Sequence, residues 1–293
     1  MPEKRTDERW TAPDGSPLDE EDRGLVYDIR TLIDRRRVLG LFGGIATATL
    51  LAACSSPADP RSSASVTSTT PDAARTPTTR ATGGAGVVEV PDETAGPFPG
   101  DGSNGIDVLD DSGIVRSDIR SSFGSSTTTA EGVPLTIRLG VRDAATGAAL
   151  VGAAVYLWHC DRSGEYSLYG QSVQNENYLR GVQPVDASGN VTFRSIFPAC
   201  YSGRWPHIHF EVYSDVATAV ASGPIVKTSQ IALPQETCDS VYATAGYEQS
   251  VSNLSRTSLS SDMVFRDDSG IHQLATMTGS AASGYTAALT VGV

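Results

Sequence analysis

The chain is predicted to be all-β: a β-sandwich of mostly antiparallel strands, with one or two short helices after the core strands. Three observations predict it. The composition is rich in Thr, Ser, Gly and Val and carries few charged residues. Short runs of alternating apolar and polar residues recur along the second half of the chain, bounded by turn residues. No fixed-period repeat and no phosphate-cradling glycine loop interrupts them.

The N-terminal part reads differently. Residues 1–34 are polar and charged. Asp34-Arg35-Arg36-Arg37-Val38-Leu39 then reads as a twin-arginine export signal. The apolar run from Val38 to Ala53 is short and glycine-containing for a membrane span. It ends in Leu51-Ala52-Ala53-Cys54, which resembles a bacterial lipobox. That resemblance implies cleavage before Cys54 and lipidation of its sulfur. Residues 1–53 are therefore expected to be a signal peptide. Residues 54–88 are Ser, Thr, Pro and Ala with almost no large apolar groups. Such a segment buries too little surface to offset its ordering entropy, so it is expected to be a disordered tether. Residues 89–293 are expected to form the folded domain. The expected location is the outer face of the cytoplasmic membrane or the extracellular space, with membrane contact only through the lipid. A net charge of −12 argues against a nucleic-acid partner.

The elements follow in order. Glu93 to Pro99 is a turn-rich loop. Pro134 to Arg142 places Leu135, Ile137, Leu139 and Val141 on one face of a strand. Ala153 to Trp158 sets Val155 and Leu157 against Tyr156 and Trp158. Asn190 to Ile196, His207 to Tyr213 and Val226 to Leu233 are further strands. Cys238, Val241 and Tyr242 change the period and predict a short helix; a second is expected over Tyr247 to Leu254. His272 to Thr278 and Tyr285 to Val291 are expected to form a hairpin.

One stretch carries chemistry. His207 and His209 share a strand face, and two imidazoles so spaced can chelate one metal ion. Upstream lie Tyr201, which can serve as a phenolate ligand, and Arg204, a fixed cation. The competing explanation is a half-buried strand with hydrogen-bonded histidines.

A second segment, Trp158 to Tyr166, joins the first. Arg180-Gly181, the turn Asp186 to Gly189, Thr192-Phe193, Pro198, Tyr201 and His207-Ile208-His209 then follow in order. Together with Thr94-Ala95-Gly96-Pro97-Phe98, this resembles the intradiol ring-cleavage dioxygenases over about residues 90–235. The chain departs from that pattern in three places. The step from Tyr201 to His207 is short, a helical N-terminal domain is absent, and the C-terminal stretch matches nothing in it.

The resemblance implies a mononuclear non-haem Fe(III) held by Tyr166, Tyr201, His207 and His209. It implies an aromatic diol and O2 as partners, and attack of O2 on the substrate ring to give a cis,cis-muconate. Arg204 would stabilise charge on the ring, Tyr201 would act also as a base, and Gln230 would stand near the ligands. Thr94, Gly96 and Pro97 would line the substrate side. Tyr156, Tyr169, Tyr178 and Tyr213 are expected to be half-buried sheet residues with solvated hydroxyls. His159 and His272 are expected to be structural or exposed.

Two rivals stand beside this reading: a non-catalytic tethered binding module, and an Fe(II) oxygenase using the histidines with a carboxylate such as Glu211. After Cys54, three cysteines remain. A Cys200–Cys238 disulfide is expected, with Cys160 left as a buried thiol.

Overall fold

The computed structural model describes residues 86–293. The signal peptide, Cys54 and almost all of the expected tether lie outside the described residues. Eight strands of the described residues form two four-stranded sheets. The first sheet has the order β4-β1-β8-β7, with β1 at Pro134–Arg142, β4 at Asn190–Ile196, β7 at Thr276–Ser280 and β8 at Gly284–Gly292. The second has the order β3-β2-β5-β6, with β2 at Ala154–Trp158, β3 at Arg180–Pro184, β5 at His207–Tyr213 and β6 at Ile225–Ala232. All pairings are antiparallel except that of β1 with β8. Among the described residues three short helices cover Val216–Val220 (α1), Gln235–Tyr242 (α2) and Glu248–Leu254 (α3). Among the described residues no helix is long and apolar enough to cross a membrane.

The main core lies between the sheets. Leu135, Ile137, Leu139 and Val141 of β1 meet Val155 and Leu157 of β2 and Ile208, Phe210 and Val212 of β5. Alternation then decides what the opposite face of the second sheet carries. Tyr156 and Trp158 of β2 and Tyr213 of β5 belong to a separate cluster on that face, with Tyr166, Tyr201 and Ala219 of α1. β5 is buried along its whole length, so its histidines are enclosed although they point away from the main core. A one-residue slip in register would drive both imidazoles into the inter-sheet core.

Some expectations change. β3 and α1 were not expected from sequence. β3 contains Gly181 and Pro184, both weak strand formers, and exists by pairing with β2. The hairpin forms, but its first strand starts at Thr276 rather than His272. Tyr156, Tyr178 and Tyr213 are fully buried rather than half-exposed, and their hydroxyls donate to Pro99 O, Asp161 Oδ2 and Glu211 Oε2. The three thiols of Cys160, Cys200 and Cys238 are free, so the expected Cys200–Cys238 bond is not formed. The Cys200 thiol faces the Arg204 carbonyl at 3.4 Å, while Cys238 faces Leu233 O.

Candidate metal centre

Tyr166 reaches the outer face of the second sheet from a tight turn after β2. Asp161 Oδ1 accepts the Ser163 and Glu165 N–H groups and closes that turn. Gly164 sits at φ +92, a conformation that favours glycine, and a Cβ there would stand 3.2 Å from Tyr201 Cβ. The turn thus brings the two tyrosines together, with ring centroids 6.0 Å apart and edge to face.

His207 and His209 arrive on β5. The Nδ1–H of His207 donates to Trp205 O at 2.6 Å. A carbonyl can only accept, so the proton is on Nδ1 and the lone pair is on Nε2. Around that nitrogen stand His209 Nε2 at 3.1 Å, Tyr201 Oη at 3.2 Å and Tyr166 Oη at 3.3 Å. The His209 ring stacks on Trp158, 4.9 Å between centroids and 6° between planes. Burial, then the Arg204 charge, holds the His207 pKa well below its ordinary value. Burial, then His207, does the same for His209. Both imidazoles are neutral donors at pH 7. Burial, then Tyr201, pushes the Tyr166 phenol well above its ordinary pKa. The protein alone keeps that phenol protonated, and a phenolate there requires a strong nearby cation.

Two oxygen and two nitrogen donors converging in a buried space fit a hard, highly charged metal ion. The protons are distributed to suit it, since His207 turns its lone pair inward. Glu211, the carboxylate of the rival oxygenase reading, is engaged elsewhere: Tyr213 Oη donates to its Oε2 at 2.7 Å. Among the described residues no three His, Cys, Asp or Glu side chains converge as a metal-binding group. Burial, then Asp101, raises the Glu211 carboxyl to about 8.

The remaining expected residues gather at the rim. Arg204 is buried; its Nη2 donates to Gln230 Oε1 at 2.7 Å. Gln230 Nε2 donates to Thr94 O at 2.9 Å. The loop holding Thr94, Gly96 and Pro97 is thereby tied beside Arg204, and it is Phe98 that packs on Tyr166, 5.1 Å between centroids. Arg180 fixes the same loop from the other side through Phe98 O and Pro99 O, and the tyrosine turn through Ser167 O. This anchoring role was invisible in sequence beyond the Arg-Gly pair itself. His159 is buried, with hydrogen bonds to Cys160 O and Ser195 Oγ, and His272 is exposed.

Comparison with known proteins concerns the fold and the matched segment. Residues 119–221 match the family model described as Dioxygenase. An intradiol ring-cleavage dioxygenase from Tetranychus urticae superposes with a TM-score of 0.50 at 26% identity, over 62% of this chain and 87% of that one. A second dioxygenase crystal structure gives 0.52 at 26% identity over the same shares, 62% and 87%. The dioxygenase domain of a carbohydrate-binding fusion from Streptomyces sp. SirexAA-E gives 0.45 at 21%, over 70% and 98%. No curated protein matches the chain. Fold and matched segment define an enzyme, a dioxygenase, which removes the binding-module reading. The chain is thus similar to the intradiol ring-cleavage dioxygenases, a family whose members act on catechol-type rings and generally use non-haem Fe(III).

Proposed function

We propose that the protein uses Fe(III) held by Tyr166, Tyr201, His207 and His209 to open catechol-type rings with O2. The bond between the two hydroxyl-bearing carbons breaks, both oxygen atoms enter the product, and a cis,cis-muconate-type diacid results. The convergence of three further donor atoms on the His207 lone pair carries this reading. A ferric ion bound there supplies the charge that ionises two phenols and a chelating catechol. The chain's own residues do the rest. Tyr201, as phenolate, takes a proton from a substrate hydroxyl. Tyr166, packed against Phe98, stays in place. Arg204 faces the negative charge that develops on the ring. Trp158, Phe98 and the 94–99 loop keep water out. Thr94, Gly96 and Pro97 stand on the side from which substrate enters.

The test is iron analysis with a visible spectrum, before and after adding catechol under nitrogen. Tyrosinate bound to Fe(III) gives a red-brown band that shifts when catechol chelates. Colourless protein, with or without iron, would overturn the reading.

We propose also that the enzyme works outside the cytoplasmic membrane, tethered through Cys54. Support comes from Arg35-Arg36-Arg37 before the apolar run and from Leu51 to Cys54. Replacing Arg35 and Arg36 by Lys should leave the precursor in the cytoplasm; unchanged export would refute the twin-arginine assignment.

A further inference from the structure

We propose that Asp262 is a positioning residue of the reaction centre. It fixes the guanidinium of Arg204 and, through the N–H of Trp205, the backbone of the residue whose carbonyl holds His207. The roles of Arg204 and His207 rest on the reading above; the contacts do not. Asp262 lies beyond α3, outside both the family match and the resembling segment.

The two oxygens of its carboxylate are divided between two tasks. Oδ1 accepts the N–H groups of Val264 at 2.8 Å and Phe265 at 3.1 Å, which anchors the side chain in its own turn. Oδ2 points at the site, where it accepts Arg204 Nε–H at 3.0 Å and Trp205 N–H at 2.7 Å. Both side chains of the ion pair are essentially inaccessible, at 1% and 0% exposure, so solvent does not screen the charges. From Oδ2, order passes along two short chains. One runs through Arg204 to Gln230 and on to Thr94 O in the substrate loop. The other crosses the Trp205 backbone, from its N–H to its carbonyl, which accepts the Nδ1–H of His207. The indole of Trp205 is held in turn by Leu233 O at 2.9 Å. A turn-capping residue would need only Oδ1. The partners of Oδ2 all belong to the centre, which makes this carboxylate part of its support.

Asparagine keeps the size of this side chain but cannot replace it. One amide end accepts and the other donates, while both oxygens of Asp262 face N–H groups. In either orientation the Asn NH2 meets two donors. Asp262→Asn therefore also withdraws a buried counter-charge from Arg204.

The experiment compares iron-loaded wild type, Asp262→Asn, Arg204→Gln and the double variant with catechol as substrate. Asp262→Asn should lower kcat by roughly 10–100-fold, with a smaller change in KM. In the Arg204→Gln background the same change should lower kcat by a smaller factor than in wild type, because the Arg204 branch is already gone and only the Trp205–His207 branch remains to be lost. Equal losses in both backgrounds, or no loss in either, would overturn the proposal. A second readout needs no turnover. In protein loaded with diamagnetic Ga(III), Arg204 Nε–H should give a downfield, slowly exchanging 1H–15N signal that Asp262→Asn abolishes. Persistence of that signal would also overturn it. If Asp262→Asn does not fold, Asp262→Ser, which keeps a hydroxyl for the turn but no charge, takes its place. Wild type that holds no iron and leaves catechol intact would refute the ferric reading instead. The Nε–H signal, then recorded on metal-free protein, would still decide the Asp262 contact.

Discussion

At the scale of single residues, the proposed mechanism gives two tyrosines of one chemical type different tasks. Tyr201 sits directly before the histidine strand, while Tyr166 is clamped by Phe98 and by the turn that Asp161 closes. Tyr201→Phe should bind anaerobic catechol but deprotonate it slowly, because the base is gone. Tyr166→Phe should alter the spectrum of the substrate complex itself. Stopped-flow visible spectra check both, and a Tyr201→Phe enzyme with normal resting colour and turnover would remove Tyr201 from the ligand set. His159 illustrates a purely structural titration. Burial lowers its pKa from 6.5 to about 4. The folded state therefore binds fewer protons than the unfolded state between those values. The stability is fully present above pH 6.5 and is lost as pH falls toward 4. The loss should approach about 3 kcal/mol. Urea denaturation across that window should be flatter for His159→Gln than for wild type.

At the scale of elements, β5 carries both the core and the centre. Its alternation sends Ile208, Phe210 and Val212 into the inter-sheet core and His207 and His209 to the other face. Phe210→Ala should cost roughly 3–5 kcal/mol. The resting colour of protein that still folds should survive, since the ligand face is untouched. The turn before Tyr166 behaves in the opposite way. Gly164→Ala should cost only about 1–3 kcal/mol for its positive φ. It should nevertheless shift the charge-transfer band, because the added Cβ presses on Tyr201. Denaturation midpoints and visible spectra of the two variants separate these effects. The same logic explains which elements were legible. β1 and β5 declare themselves through alternation, and α2 and α3 through a change of period. β3 and α1 do not, because neither short segment carries a sustained apolar period of its own. Gly181 and Pro184 of β3 argue locally against a strand, and pairing with β2 overrides them.

At the scale of the whole molecule, the C-terminal stretch is integral rather than appended. β8 lies between β1 and β7, with parallel partners from Leu135↔Tyr285 to Arg142↔Gly292. Ending the chain after Leu254 would open the first sheet and remove Asp262. Such a truncation should not yield a soluble domain that binds iron. A folded, coloured product on gel filtration would contradict this. The thiols are buried on the same scale. Cys160, Cys200 and Cys238 should resist thiol reagents until the protein is denatured, and mapping without reductant should find no crosslink among them.

By itself the sequence determined the sandwich, the positions of most strands along the chain and, with the resemblance, the side chains that gather at the centre. Alternation and turn residues act over a few positions and can be read directly, whereas the tyrosine ligands came from the resemblance to the intradiol dioxygenases. Only the tertiary structure decided the rest. It stacks Trp158 on His209, points Glu211 at Tyr213, leaves the thiols unpaired and brings Asp262 to Arg204. The Asp262–Arg204 contact closes across 58 residues and the Arg204–Gln230 contact across 26. A carboxylate in a polar turn looks like any other until strand pairing carries it to a buried guanidinium. Such contacts arise from sheet closure, which no local pattern records.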